Sequence, residues 1–502
     1  MKAPLNIVQH LFQQLEEEDI RHCLWKSNEH LEEALTGQTD MDLLVDESQA
    51  DHFESLLKEL GFKQFFSQLW ARYPGIEDWI GFDRETGMLV HLHLHYQLVL
   101  GRRFVKEYDL PWEDLILNTA VREPNYDVLI SDPNLEILLL GIRTGNKTGI
   151  RNILSGYTGN QPVHNILWRE FEYLFGQVDA DKVQDYAIQL FGAASGREFA
   201  SLLNPEDLKN PAVILRIKQI VNHSLGEHRR FGLLKIWGVQ MVRGLLNFIA
   251  RVQRKLNIRH TQTGKRRQPN GAIVAIIGAD GSGKSTLSKD IQKWLSWKIE
   301  AENIYLGSGE GSVGWLTKGL KRLASATKKK KSNGSQTTPK MSFAQQNGTQ
   351  TASFVRELGS CILGLSLANE RYRKVKDADK ARQTGTILIT DRYPQNQFYG
   401  IYDGPRLFRG ADDQAVRRFF AGLEEEKYQK LSGISPDVVI KLHLPLEVAL
   451  QRKPDHSAEN IQRKAEITRD LKFNGAKVVD VDTSEPYEDV LRSVKQIVWE
   501  SF

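Results

Sequence analysis

The sequence predicts an α/β protein in two parts. A C-terminal parallel sheet with flanking helices is preceded by an α+β domain with a helical extension. Three observations carry this reading. The stretch 272–286, AIVAIIGADGSGKST, reads as an apolar strand, a glycine-rich turn and a helix start. Beyond it, short β-type runs alternate with helical stretches, the pattern of βαβ units in a parallel sheet. Ahead of it, Asp40-Met41-Asp42 enters the apolar run Leu43–Val45, and residues 134–254 are mostly of helical period.

In chain order, residues 4–18 place Leu5, Val8, Leu11, Phe12 and Leu15 on one helical face. Asp40 and Asp42 then lie two apart at a strand entrance. Their side chains share a face about 6–7 Å apart, a spacing at which two carboxylates can share divalent metal ions. The next strand candidate, 88–98, puts His91, His93 and His95 on one face. The plainer readings are a solvated turn for the aspartates and a polar sheet face for the histidines. Asp132-Pro133 and Asn204-Pro205 read as helix starts.

Residues 229–256 read as a basic amphipathic helix. It is expected to pack on its own protein and connect domains, with a membrane surface as the alternative. The polar, basic stretch 257–270 reads as a linker. The expected division is 1–130, 131–256, the linker 257–270, and 271–502.

Gly278, Gly283, Lys284 and Ser285 fit G-x-x-x-x-G-K-[ST]. Glycines at 278, 281 and 283 let backbone N–H groups turn toward an anion, and the helix from Lys284 aims its positive end there. Gly278, Asp280, Gly281, Ser282, Gly283, Lys284, Ser285 and Thr286 are therefore the candidate ATP-binding residues. Lys284 is assigned to the outer phosphates and Ser285 to Mg²⁺. A helix over 284–300 and a strand at 303–309 follow. Residues 324–353, including Lys328–Lys331, have the composition of a mobile insertion. A helix over 354–382 leads to the strand Thr386–Thr390, with Asp391-Arg392-Tyr393 at its C-terminal end. Ligands of a parallel sheet sit beyond such ends, so Asp391 is expected near the phosphate loop.

Composition narrows the function. A formal charge of +4 over 502 residues carries no general nucleic-acid signature, and nucleic acid is not an expected partner. Two cysteines, Cys23 and Cys361, exclude a disulfide framework and suit a reducing cytoplasm. No signal peptide is evident, and no apolar run looks long enough to form a transmembrane segment. The expected partner is a small nucleotide or phosphorylated substrate; a homodimer is compatible with the sequence.

Two resemblances refine these expectations. The Asp40/Asp42 pair resembles the nucleotidyltransferase superfamily, which uses D-x-D on a strand after a small-residue turn. Here Lys26 and Ser27 stand at that turn, and His93 stands where the family has a third carboxylate. The resemblance implies a nucleotidyltransferase-like fold with Asp40 and Asp42 as metal ligands.

Residues 271–502 resemble the thymidylate kinase family of P-loop kinases. The resemblance rests on the loop from Gly278 to Thr286, on Asp391-Arg392-Tyr393, on SPDVVIKLHLPLEVALQR (435–452) and on VVDVDTSEPYEDVLRSV (478–494). It implies a P-loop NTPase sheet, ATP and Mg²⁺ as cofactors, and Lys284, Asp391, Arg392 and Arg452 as catalytic residues. Asp391 would organise Mg²⁺ or the acceptor, Arg392 would grip the acceptor's anionic group, and Arg452, with Arg463, would belong to a lid. Arg371 falls on the acceptor side. The implied reaction is γ-phosphoryl transfer from ATP to a nucleotide or another phosphate or hydroxyl acceptor. The long insertion, the N-terminal extension and the region 396–413, with Tyr399, Tyr402 and Asp403, point to an acceptor other than dTMP. The alternatives are nucleotidyl transfer as the main activity and a nucleotide-gated binding module.

Overall fold

A computed structural model of the chain describes residues 2–149, 165–256, 264–307, 343–407 and 415–502. The chain divides into two compact units, Met1–Lys265 and Arg266–Phe502.

In the first unit, α1 (Asn6–Glu17) buries Val8, Leu11, Phe12 and Leu15 as its periodicity requires. The sheet is mixed. Its strands are β1 (His22–Leu24), β2 (Asp40–Val45), β3 (Lys63–Phe66), β4 (Ile76–Phe82) and β5 (Leu89–His95). A hairpin of β6 (Leu98–Leu100) and β7 (Tyr108–Leu110) stands apart, and β8 (Val121–Glu123) and β9 (Val128–Ile130) complete the main sheet. Its order runs β3-β4-β5-β2-β1-β9-β8. Strands β2 and β5 are parallel, with Asp40 beside His91, Asp42 beside His93 and Leu44 beside His95. The register therefore sets the two aspartates against the histidine row, which sequence spacing alone could not establish.

The helical extension shares a core with this sheet. Cys23, Trp25 and Leu44 join Leu138, Ile142, Phe171, Phe199 and Ile217 in one buried cluster. Helix α2 (Pro133–Lys147) starts at the predicted Asp132-Pro133, and the Asp132 side chain accepts from Asn134 N–H. The start expected at Asn204-Pro205 is corrected: that pair leads into a turn and a short 3₁₀ segment, Asp207–Lys209. The helix begins at the next Asn-Pro, where Asn210 caps α3 (Pro211–Ser224) by accepting from Ala212 N–H. Both pairs carry the same local signal. Ile214, Ile217, Ile220 and Val221, which fill the core, follow the second.

The helix expected at 229–256 is α4 (Leu233–Lys255). Two expectations about it are corrected. Leu233–Gln253 is long and apolar enough to cross a membrane, with only 11 % of the qualifying stretch buried. Nor, among the described residues, does the helix pack its apolar side on its own protein: Trp237, Met241, Val242, Leu245, Phe248 and Ile249 are exposed. Residues 257–263 of the expected linker lie outside the described residues.

The second unit is built on five parallel strands. They are β10 (Ala272–Gly278), β11 (Ala301–Tyr305), β12 (Ile387–Asp391), β13 (Val438–His443) and β14 (Lys477–Asp482), in the order β11-β12-β10-β13-β14. Every residue of β10 and β12 is buried, which explains their unbroken rather than alternating apolar pattern. The flanking helices include α5 (Lys284–Leu295), α6 (Phe343–Gln383), α7 (Ala415–Ser432), α8 (Leu446–Arg452), α9 (Ala458–Asp470) and α10 (Tyr487–Trp499). This is the α/β arrangement the sequence predicted.

Of the insertion expected at 324–353, residues up to 342, including Lys328–Lys331, lie outside the described residues. Residues 343–353 are corrected to helix. They form the start of α6, since extending an existing helix by residues such as Ala and Gln costs little.

Candidate functional site

The parallel register of β10 and β12 pairs Ile276 with Asp391. Both strands end at the same edge, so residues more than a hundred positions apart meet there. Ser285, on the first turn of α5, donates its hydroxyl proton to Asp391 Oδ2. Gly281 and Gly283 hold left-handed backbone, φ +89° and +85°, which glycine adopts without steric cost. Gly278 is needed for space: a Cβ there would lie 2.6 Å from Ser282 Oγ and 2.9 Å from Leu442 O. Ser282 Oγ donates to Ala279 O at 2.9 Å, closing the turn. Thr286 N–H donates to Gly283 O at 3.1 Å, inside the first helical turn.

Lys284 is buried, and its Nζ donates to Ala279 O at 2.6 Å. Burial, then the Arg392 guanidinium, disfavours its charge and brings its pKa down to about 8. The ammonium therefore lies folded over the loop, held by a backbone carbonyl that an incoming phosphate can replace.

A chain of ion pairs surrounds this lysine. Arg392, at φ +74°, contacts Asp280 Oδ1 at 3.2 Å and Asp403 Oδ2 at 3.5 Å. Asp280 also pairs with Lys464 of α9. Burial works to raise its carboxyl, but Lys464, Lys284 and Arg392 outweigh this and hold it below the usual range. Asp403 continues to buried Arg371 at 2.6 Å, whose other nitrogens reach the Tyr428 hydroxyl and Leu306 O. Arg452 is exposed and donates to Gly281 O at 3.5 Å and Thr483 O at 3.2 Å. Lys284, Ser285, Asp391 and Arg392 thus gather at one edge, with Asp280 and Arg452 beside them. Arg463 is exposed, and its neighbour Lys464 meets Asp280 instead. The sequence offered a basic helix but no means of ranking adjacent positions that point about 100° apart. Tyr428 was missed as well; it lies on α7 and carries no motif.

The residues fit a hydrated Mg²⁺. Asp391 Oδ2 is bonded to Ser285, whereas its Oδ1 is buried with no hydrogen-bond partner among the described residues. A buried carboxylate oxygen left in this state is costly unless a cation or its water occupies it.

No protein-family model matches the chain. It is 28 % identical over 234 residues to "Uncharacterized ATP-binding protein YghR" of Escherichia coli strain K12, covering 46 % of this chain and 89 % of that protein. It is 32 % identical over 223 residues to "Uncharacterized ATP-binding protein YghS" of the same strain, covering 44 % of this chain and 90 % of that protein. The chain belongs to the YghR/YghS family. The kinship spans about half of its length.

Apart from that sheet edge, the first unit of this YghR/YghS relative has a cavity of its own, of about 240 Å³. Lys26, Lys106, Arg143 and Lys147 line it together with Asp40 and Asp42. Asp40 accepts from His91 Nδ1 at 2.7 Å. Asp42 Oδ1 meets Lys26 Nζ at 2.7 Å, His93 Nδ1 at 2.8 Å and His95 Nε2 at 3.4 Å. Burial opposes the charge of Asp42, but Lys26 and the histidines hold it well below the usual carboxylate range. The aspartates share one face, yet each is engaged by different partners. Asp42, His93 and His95 converge closely enough to hold a metal ion, but this one-carboxylate, two-imidazole set suits a transition metal better than Mg²⁺. The Lys26 ammonium also supplies the positive charge beside Asp42 that a cation would bring.

Proposed function

We propose that the second unit is an ATP–Mg²⁺ phosphotransferase of thymidylate-kinase type and that the YghR/YghS kinship belongs to this unit. One observation carries the reading: Lys284, Ser285, Asp391 and Arg392 converge on a glycine loop at the C-terminal edge of a parallel sheet. Phosphoryl transfer needs positioning and charge neutralisation, and these groups supply both. The loop's N–H groups and the α5 terminus receive the phosphates, and Lys284 leaves Ala279 O for their outer oxygens. Ser285 and Asp391 would hold Mg²⁺, which would offset the charge on the phosphates. Arg392 orients the acceptor beside the γ-phosphate. The acceptor oxygen forms the new bond to phosphorus, the β–γ bridging bond breaks, and ADP leaves. The acceptor in this reading is a nucleotide or other phosphorylated molecule whose anionic group meets Arg392.

The test is transfer of label from γ-³²P-ATP to nucleoside monophosphates and phosphorylated sugars, with α-³²P-ATP as the control for nucleotidyl transfer. Lys284→Ala removes a charge-assisted contact worth about 1.5–3 kcal/mol, so ATP affinity falls roughly tenfold to a hundredfold and transfer is lost. Turnover retained by this variant, or label carried only from the α position, refutes the assignment.

A second reading concerns the first unit. Its cavity gathers Lys26, Lys106, Lys147 and Arg143 beside Asp40 and Asp42. Lys26 is paired with Asp42 and Arg143 with Glu170, and burial lowers Lys106 to about 7, so an incoming phosphate-bearing anion, which favours the charged amines, is the ligand we assign to it, taken without Mg²⁺. Calorimetry with inorganic pyrophosphate in EDTA, on the Lys284→Ala background, should show binding that Lys106→Ala weakens. No heat, or a strict need for Mg²⁺, removes this reading.

A further inference from the structure

Helix α4 is polarised opposite to an ordinary surface helix. Its side toward the first unit carries Ile236 and Ala250, both buried, and Arg243, which donates to Phe104 O at 3.0 Å and lies over the Tyr73 ring. Its outward side is apolar along the full length. Leu234 is 91 % exposed, Met241 72 %, Phe248 64 % and Trp237 62 %, with Val242 and Leu245 near 60 %. At about 100° per residue these residues form one continuous face. Such a face left in water is a strong sign of a partner.

The charges select the occupant. No Asp or Glu occurs between Glu227 and Asp280, whereas Arg230 and Lys235 precede or open the face and Arg251 and Lys255 close it; Arg229 is held by Tyr108 and Asn222. A second copy docked on this face would bring like charges together along a two-fold interface. An anionic lipid surface offers the complement: headgroups for the flanking cations and acyl chains for the apolar residues. Arg243 decides orientation. It lies mid-helix and is tied to the protein, and a helix crossing a bilayer would carry that charge to the centre.

We propose that α4 is an in-plane membrane anchor that seats the first unit on anionic phospholipid bilayers through the face centred on Met241 and Leu245. The inference does not depend on the phosphotransferase reading.

Flotation of the full-length protein with vesicles of phosphatidylcholine alone, or with a third phosphatidylglycerol, tests it. The expected result is co-flotation with the anionic vesicles, much weaker with phosphatidylcholine alone, and reduced by high salt. The double variant Met241→Glu/Leu245→Glu should lose flotation while keeping the wild-type melting temperature and ATP affinity, because both side chains project outward. Three results overturn the proposal. One is absence of flotation with either vesicle. Another is a dimer in sedimentation that the double variant dissociates, which assigns the face to a second copy. The third is resistance to alkaline carbonate extraction, which assigns the helix to a bilayer-spanning role.

Discussion

Lys284 carries the sharpest residue-scale consequence. Burial and Arg392 lower its pKa from the ordinary 10.5 to about 8, while a bound phosphate favours the ammonium and raises it again. The free protein therefore holds fewer protons than the liganded protein above about pH 8. Nucleotide binding takes up a proton there, and affinity falls as pH rises, by at most about tenfold per unit. Titration calorimetry at pH 8.5 in two buffers of different ionisation enthalpy should show this uptake; identical heats would exclude it. Asp391 adds a second expectation. Its Oδ1 has no partner among the described residues, so Asp391→Asn should cost little stability but weaken the Mg²⁺ dependence of nucleotide binding, read by titrating Mg²⁺ at fixed ATP. The phosphate loop was legible because its chemistry lies in nine consecutive residues. Lys464 and Tyr428 were not, because their roles arise from partners brought in by packing.

At the scale of elements, the loop depends on the backbone more than on side chains. Gly281 sits at φ +89°, and a Cβ there would stand 3.2 Å from Ala449 O of α8. Gly281→Ala should cost about 1–2 kcal/mol from the left-handed backbone alone and loosen the turn that presents N–H groups to phosphate. A lower melting temperature together with weaker ATP binding is the expected pair; a change in neither would show that the turn tolerates a side chain. Element type was readable from periodicity: α1, β10 and β12 stand where their patterns placed them. Boundaries and choices between equal signals were less so. Asn204-Pro205 and Asn210-Pro211 offer the same cap, and burial of the apolar residues after the second selected it. The start of α6 at Phe343 follows from helix propagation into residues whose composition alone suggested a loop.

On the scale of the whole molecule, each compact unit has its own sheet and buried core, and the nucleotide is assigned to the second. Scanning calorimetry should resolve two transitions. ATP with Mg²⁺ at a hundred times its dissociation constant should stabilise only one of them, by about 2.7 kcal/mol. A shift of both together would mean that the units unfold as one.

The sequence by itself determined the α/β class, the parallel sheet and the phosphate loop, since strand period, helix period and the glycine cradle are properties of neighbouring residues. Tertiary structure alone decided that Lys26 stands beside Asp42, that Arg371 is committed to Asp403, and that α4 turns its apolar side outward. Periodicity establishes that a helix has an apolar stripe; only packing against the rest of the chain fixes the direction in which that stripe points.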